Sequence, residues 1–221
     1  MSEKSGTFSD MQRALHDSSS APASLVETIA RKIKADPGGV FSPVDFVGPG
    51  NRAAVDQALS RMTSKGQLLR IGRGFYSKPR SHPLLGDLVP DADAIARALA
   101  GKGKLRLQPS GAYAANLLGL SEQAPMKLSF LTDGVSRTVR LAGQEITLKH
   151  TTPRNMAATG RISGLVIQAL RYWKQHNVNP DLLDKLKRRL KPRDKAVLLA
   201  DAPLAPAWIG RIMRQIAAGR D

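Results

Sequence analysis

An α+β fold is predicted for this 221-residue chain by three observations. Stretches with apolar residues at three- and four-residue spacing alternate with short segments of period two, the marks of amphipathic helices and half-buried strands. Clusters of Gly, Pro, Ser and Asn separate them. A hydrophobic content of 42% supports real cores, and the length is natural for two domains.

Residues 1–22 are Ser-rich, end in Ser18-Ser19-Ser20-Ala21-Pro22 and hold too few large apolar residues to pack, so they read as a disordered tail. A first domain is expected over residues 23–83. Leu25, Ile29 and Ile33 recur at four-residue spacing beside Val26 and Ala30, which predicts a helix from near Ser24 to Asp36-Pro37-Gly38-Gly39. Ser42 can cap and Pro43 suits a first helical position, so a short helix is expected over residues 43–47. Gly48-Pro49-Gly50 forces a turn. Asn51 caps the next helix, in which Val55, Leu59 and Met62 form the inward stripe and which Gly66 ends. Residues 67–71 and 75–77 read as two strands joined through Gly72-Arg73-Gly74, where glycine permits a tight hairpin. Helix, short helix, turn, helix and hairpin in this order predict a winged helix-turn-helix with Arg73 at the tip of the wing. Pro79, Ser81, His82 and Pro83 read as a stiff linker, with few apolar contacts expected across it.

The second domain, residues 84–221, is expected to be α+β, with a small antiparallel sheet and C-terminal helices. It opens with an Ala-rich helix over residues 91–100, closed by Gly101-Lys102-Gly103; a short strand at 105–107 and a helix over 110–118 follow. Three alternating segments, 127–132, 136–141 and 145–150, are separated by Asp133-Gly134 and Ala142-Gly143, which suggests an antiparallel meander. Ile162, Leu165, Val166, Ala169, Leu170 and Trp173 share a broad helical face over 161–176, and Asn179-Pro180 breaks it. Further helices are expected near 181–190, 193–200 and 205–217.

Charge narrows the function. Lys and Arg number 34 against 18 Asp and Glu, a net charge of +16. The excess is concentrated, with six more basic than acidic residues over 24–81 and eight more over 161–221, which suggests two anionic contacts. Cysteine is absent, which excludes disulfides, thiol nucleophiles and Cys-ligated zinc. His16, His82, His150 and His176 lack any paired metal-ligand spacing. No metal or other cofactor is expected. No apolar run approaches the ~20 residues needed to span a bilayer and the N-terminus has no apolar signal core, so a cytoplasmic location without membrane contact is expected.

On the helix that Asn51 opens, Ala53, Gln57, Ser60, Arg61 and Ser64 face outward once the apolar stripe is turned inward. Small and polar residues let a backbone approach a major groove, where Gln57 can read adenine bidentately and Arg61 can read guanine or clamp phosphate. Asn51 and Arg52 stand where recognition helices make their first contacts, and Arg70 and Arg73 on the hairpin suit a minor groove or backbone. The DNA-binding candidates are thus Asn51, Arg52, Ala53, Gln57, Ser60, Arg61, Arg70 and Arg73. The partner would be double-stranded DNA, an inverted-repeat operator bound by a monomer or homodimer. The competing readings are a solvated helix face and a protein-docking surface.

Seven cations fall within residues 185–195, which marks Lys185, Lys187, Arg188, Arg189, Lys191 and Arg193, with Lys195, as a candidate polyanion site against the reading of a solvated face. Gly101-Lys102-Gly103-Lys104 follows a helix and lacks the strand-to-helix setting of a phosphate loop. Asp133, Glu145 and Lys149, read as lying across a hairpin, would mimic a nuclease set, although Asp133 belongs to an Asp-Gly turn. Thr151-Thr152-Pro153-Arg154-Asn155 could hold a ligand or cap the helix that follows.

Five strings carry a resemblance: Phe41-Ser42-Pro43-Val44-Asp45-Phe46; Gly72-Arg73-Gly74-Phe75-Tyr76; Leu107-Gln108-Pro109-Ser110-Gly111-Ala112-Tyr113-Ala114-Ala115-Asn116-Leu117-Leu118-Gly119-Leu120; Phe130-Leu131-Thr132-Asp133-Gly134; and His150-Thr151-Thr152-Pro153-Arg154. Together, over roughly residues 24–175, they resemble the AbiEi-type antitoxins of bacterial type IV toxin-antitoxin systems. The resemblance implies a non-enzymatic repressor that binds its own operator through the N-terminal domain, while the second domain neutralises a nucleotidyltransferase-like toxin or acts at its RNA target. The alternatives are a stand-alone regulator and an RNA- or protein-binding module without a toxin. The helices after residue 180 depart from the shorter versions expected of that family.

Overall fold

In the computed structural model, which describes residues 24–48, 51–84, 86–101, 105–123 and 125–218, Ser24 opens the first helix. The tail expected over residues 1–22 lies outside these residues, as do Pro49 and Gly50 of the expected turn and Lys102, Gly103 and Lys104 of the glycine-lysine segment. Helix α1 spans Leu25–Ala35. Its first turn is closed reciprocally: the Ser24 hydroxyl accepts from the Glu27 N–H at 3.2 Å and the Glu27 carboxylate accepts from the Ser24 N–H at 2.9 Å. Ile29 and Ile33 are its buried face.

Strand β1 is Val40–Phe41. The helix expected over 43–47 is a single 3-10 turn, Pro43–Asp45. Only Phe46 beyond it reaches the core, whereas Val44 and Val47 are exposed, so a further turn would bury nothing. Helix α2 spans Arg52–Ser64, and strands β2, Leu69–Gly72, and β3, Phe75–Ser77, complete a three-stranded antiparallel sheet in the order β1-β3-β2. One face of that sheet, through Phe41 and Tyr76, closes a core with Ile29, Ile33, Val55, Leu59, Met62 and Leu68.

The other face is not left to water. Val40 is buried, and Ile71 and Phe75 are packed, in a second core with Ile95, Leu99, Leu128, Phe130, Leu141, Ile146 and Leu148. At about 1.5–3 kcal/mol for each fully buried aliphatic or aromatic side chain, these contacts weld the halves of the chain. The sparse apolar contact expected across the linker is therefore not what the chain builds. The linker itself is a small hairpin: β4, Ser81–His82, pairs with β5, Gly86–Asp87, and the Leu88 N–H donates to the Arg80 carbonyl at 2.8 Å.

Helix α3, Ala92–Ala100, packs on β1 and is capped by the Asp91 carboxylate. Strand β6 is Leu107–Ser110, later than the 105–107 expected, and helix α4 is Gly111–Leu117. Strands β7, Lys127–Thr132, β8, Arg137–Leu141, and β9, Gln144–His150, do not form a meander. The sheet order is β6-β7-β9-β8, with β7 and β9 parallel and the other pairs antiparallel. Strands β7 and β9 bury Leu128, Phe130, Thr132, Ile146 and Leu148, whereas β8 buries only Leu141, so the most polar of the three takes the edge.

The last third is helical. Helix α5, Ile162–Trp173, stops three residues before the end expected; α6 is Pro180–Arg189, α7 Pro192–Asp201 and α8 Ala207–Ala218. They share a third core, with Val166, Ala169 and Leu170 of α5 at its centre against Ala114, Leu186, Leu198, Ile209 and Met213. Buried Asp201 ties two of them together: Arg161 pairs with one carboxylate oxygen at 2.7 Å, and the Ser163 hydroxyl donates to the other. Among the described residues the chain thus has eight α-helices and three small sheets, a mixed α+β fold ending in helices. No helix among them is long and apolar enough to cross a membrane.

Candidate nucleic-acid interface

Helix α2 turns Val55, Ala58, Leu59 and Met62 into the first core. At about 100° per residue, this leaves Ala53, Gln57, Ser60, Arg61 and Ser64 together on the opposite face, all of them exposed. Among the described residues the face has one contact between side chains, an Arg61 guanidinium N–H donating to the Gln57 side-chain carbonyl oxygen at 3.2 Å, while the Ser64 hydroxyl donates to the Ser60 backbone carbonyl at 3.2 Å. Arg61 and Gln57 each fix the rotamer of the other. The Gln57 amide N–H groups and the remaining Arg61 donors stay free of described partners.

The residues at the helix start are more committed. The Asn51 carbonyl oxygen accepts from the Ala53 N–H at 2.9 Å, so this side chain is the N-cap. Arg52 meets Asp56 at 3.0 Å in an exposed pair, an arrangement that contributes about 0–1 kcal/mol and breaks readily when a stronger anion arrives.

Arg70, on strand β2, and Arg73, between β2 and β3, are both exposed. The hairpin that carries them is held from behind. The Ala142 N–H donates to the Ile71 carbonyl at 2.9 Å. Gly72 lies so close to β8 that a Cβ there would stand 2.3 Å from Leu141 Cδ2 and 3.1 Å from the Arg140 carbonyl oxygen. This contact brings Arg140 beside the hairpin. Its side chain is 83% exposed and only loosely engaged by Glu145 at 3.6 Å. Sequence reasoning missed Arg140, because nothing local links residue 140 to residue 72; only the three-dimensional packing joins them.

The basic run divides. Lys185 and Arg188 are exposed on α6 without a described partner. Lys187 approaches Asp184 at 3.4 Å, and the Arg189 guanidinium lies against Gly119, beyond α4. Lys191 and Arg193 are exposed where α7 begins, but Lys195 is buried and so drops out of any solvent-facing cluster.

Asp133, Glu145 and Lys149 do not assemble. Parallel pairing sets Glu145 opposite Lys127 at one end of β7, while Asp133 follows Thr132 at the other; six residues at ~3.3 Å each separate the two acids. Each acid has its own cation. Hydrogen bonds from Arg106 hold the Asp133 carboxyl below its usual range, and a hydrogen bond from Lys127 does the same for Glu145.

Residues 28–198 match one protein family from α1 through most of α7. The chain belongs to DUF6088, a family of unknown function. The match spans both halves of the molecule and includes α2, the hairpin and the basic run, while α8 lies beyond it. No curated protein matches the chain.

Proposed function

We propose that this DUF6088 protein is a sequence-specific DNA-binding repressor whose residues 24–83 act as a winged helix-turn-helix. The observation that carries the reading is the exposed face of α2, where Gln57 and Arg61 orient each other at 3.2 Å among the small residues Ala53 and Ser60. The element order supports it: helix, strand, 3-10 turn, helix, then a hairpin, with strands arranged β1-β3-β2. In this reading α2 enters the major groove, Gln57 and Arg61 contact base edges, and Ala53 and Ser60 admit the backbone. Arg52 leaves Asp56 for a phosphate, Asn51 keeps its capping role, and Arg70, Arg73 and Arg140 meet the adjacent backbone or minor groove.

The finer role rests on the resemblance in the second domain. The protein would be the antitoxin of a type IV system, repressing its own operon and neutralising a nucleotidyltransferase-like toxin without catalysis of its own.

Fluorescence anisotropy with DNA from upstream of the gene tests the first claim. An inverted-repeat duplex should remain preferred over a scrambled one as salt rises, because counterion release weakens both alike. Gln57→Ala with Arg61→Ala should remove that preference at about 1–3 kcal/mol for each lost bidentate contact. Equal affinity for both duplexes in the parent protein would refute sequence-specific repression. Growth rescue in cells expressing a nucleotidyltransferase-like toxin, if one is encoded beside the gene, tests the antitoxin role, and rescue should survive the double substitution.

A further inference from the structure

Away from the interface just described, three arginines gather at one place. Arg154 stands on the 3-10 helix Pro153–Met156, which buried Met156 anchors. Arg211 and Arg214 stand on α8, which turns Ile209, Met213 and Ile216 into the core and leaves the face of Ala207, Arg211 and Arg214 outward. All three line one cleft of about 500 Å³ between these elements and the turn at Ala202–Leu204. None of the three side chains makes a hydrogen bond or ion pair with a described residue.

Among the described residues the cleft has no counter-charge. No described Asp or Glu lines it, and the neighbouring acid, Asp201, is buried and already held by Arg161 and Ser163. Three like charges gathered around one concavity raise the free energy of the empty cleft, and an anion that joins them lowers it. Each guanidinium offers five donors in a planar fork that matches phosphate oxygens. Gly210 sets the shape of the cleft by letting α8 pack closely on the turn: it is buried with the Arg214 guanidinium near it, and a Cβ there would stand 2.7 Å from the Ala202 carbonyl oxygen.

We infer that this cleft binds a nucleoside di- or triphosphate, with Arg154, Arg211 and Arg214 holding the phosphates. Three guanidinium charges match a polyphosphate better than a single phosphate. The volume lies within the range of about 300–1,000 Å³ for small-molecule sites, and Pro203 and Ala205 give the cleft a small apolar wall against which a base or ribose can lie. This site is independent of the DNA-binding reading and lies largely outside the matched family segment, since Arg211 and Arg214 follow residue 198.

Calorimetric titration of the full chain at physiological salt, with inorganic tripolyphosphate, ATP and AMP as separate probes, tests the assignment. Tripolyphosphate and ATP should saturate one site per chain, with AMP at least about tenfold weaker because it lacks the further phosphates. Arg211→Gln with Arg214→Gln should lower ATP affinity about tenfold or more, and so should Arg154→Gln, which comes from a different element and keeps the test open if the double variant misfolds. Arg31→Gln with Lys34→Gln, exposed on α1, should leave it unchanged. Absence of saturable binding by the parent at millimolar probe, equal affinity for AMP and ATP, or an equal loss in the α1 variant would overturn the proposal.

Discussion

Gly72→Ala probes the joint between the halves with one atom. No left-handed backbone is involved at Gly72, so the cost comes from the Cβ alone, which would stand 2.3 Å from Leu141 Cδ2. Ordinary carbon contacts lie near 3.5–4.0 Å, so Leu141 must withdraw by about 1.5 Å inside a packed core. Overpacking of this kind costs about 1–3 kcal/mol. Leu141→Ala alone removes a side chain that is 2% exposed, at about 2–5 kcal/mol. In the double variant the new Cβ enters the space that Leu141 vacates, so the two losses should fall short of their sum by about 1 kcal/mol or more. Urea denaturation of the four proteins, followed by circular dichroism, gives the cycle. Additivity within about 0.5 kcal/mol would mean that the hairpin and β8 do not touch in solution, and the shared core would be refuted.

Arg73→Ala should weaken operator binding by about 1–3 kcal/mol with no change in unfolding midpoint, since the exposed hairpin tip supports no core; an unchanged affinity removes Arg73 from the interface. Tyr113 should resist ionisation, because burial first, and then the charge of Asp93, raise its phenol well above the ordinary 10.0. The unfolded chain ionises there near 10 while the folded one does not, so the contribution is present below pH 10 and is lost as pH rises beyond it. Ultraviolet titration should show a tyrosinate step above the ordinary 10.0 that is missing from Tyr113→Phe, and the substitution should flatten the alkaline loss of stability; the same alkaline loss in both proteins would contradict this. If α6 touches nucleic acid, Lys185→Glu with Arg188→Glu should reduce non-specific DNA affinity and lower the slope against salt by about 2, and an identical slope returns those residues to a solvated face.

Local devices were the legible part of the sequence. Ser24 with Glu27, Asn51, Asp91 and Asn179 each open a helix within a residue or two of the expected place, because caps and apolar periodicity act over one turn. Strand partnership was not legible. Alternation in residues 127–132 and 145–150 reveals a buried face but not which segment lies alongside, and Asp133-Gly134 resembled a hairpin turn although β9 inserts between β7 and β8. The edge could have been found: Arg137, Thr138 and Arg140 leave β8 with one buried side chain, too few for a central strand. For the candidate interface, α2 and Arg73 were legible because their pattern is local, whereas Arg140 and the Arg154 cleft depend on segments that are distant in sequence. Prolines near residue 80 suggested a spacer, yet Val40, Ile71 and Phe75 already supplied apolar surface that finds its core beyond residue 83.

Sandwiching the β1-β3-β2 sheet between two cores removes the hinge that a free hairpin would have. Arg73 is thereby coupled to β8 and β9, because the Ile71–Ala142 hydrogen bond and the Gly72–Leu141 contact leave little slack between them. If the chain is the DNA-binding repressor proposed above, a partner that binds the far sheet and favours one setting of β8 would bias the angle of the arginine tip, and DNA that favours one angle would return the same free energy to the partner. Operator occupancy and partner occupancy would then be two readings of a single mechanical coordinate.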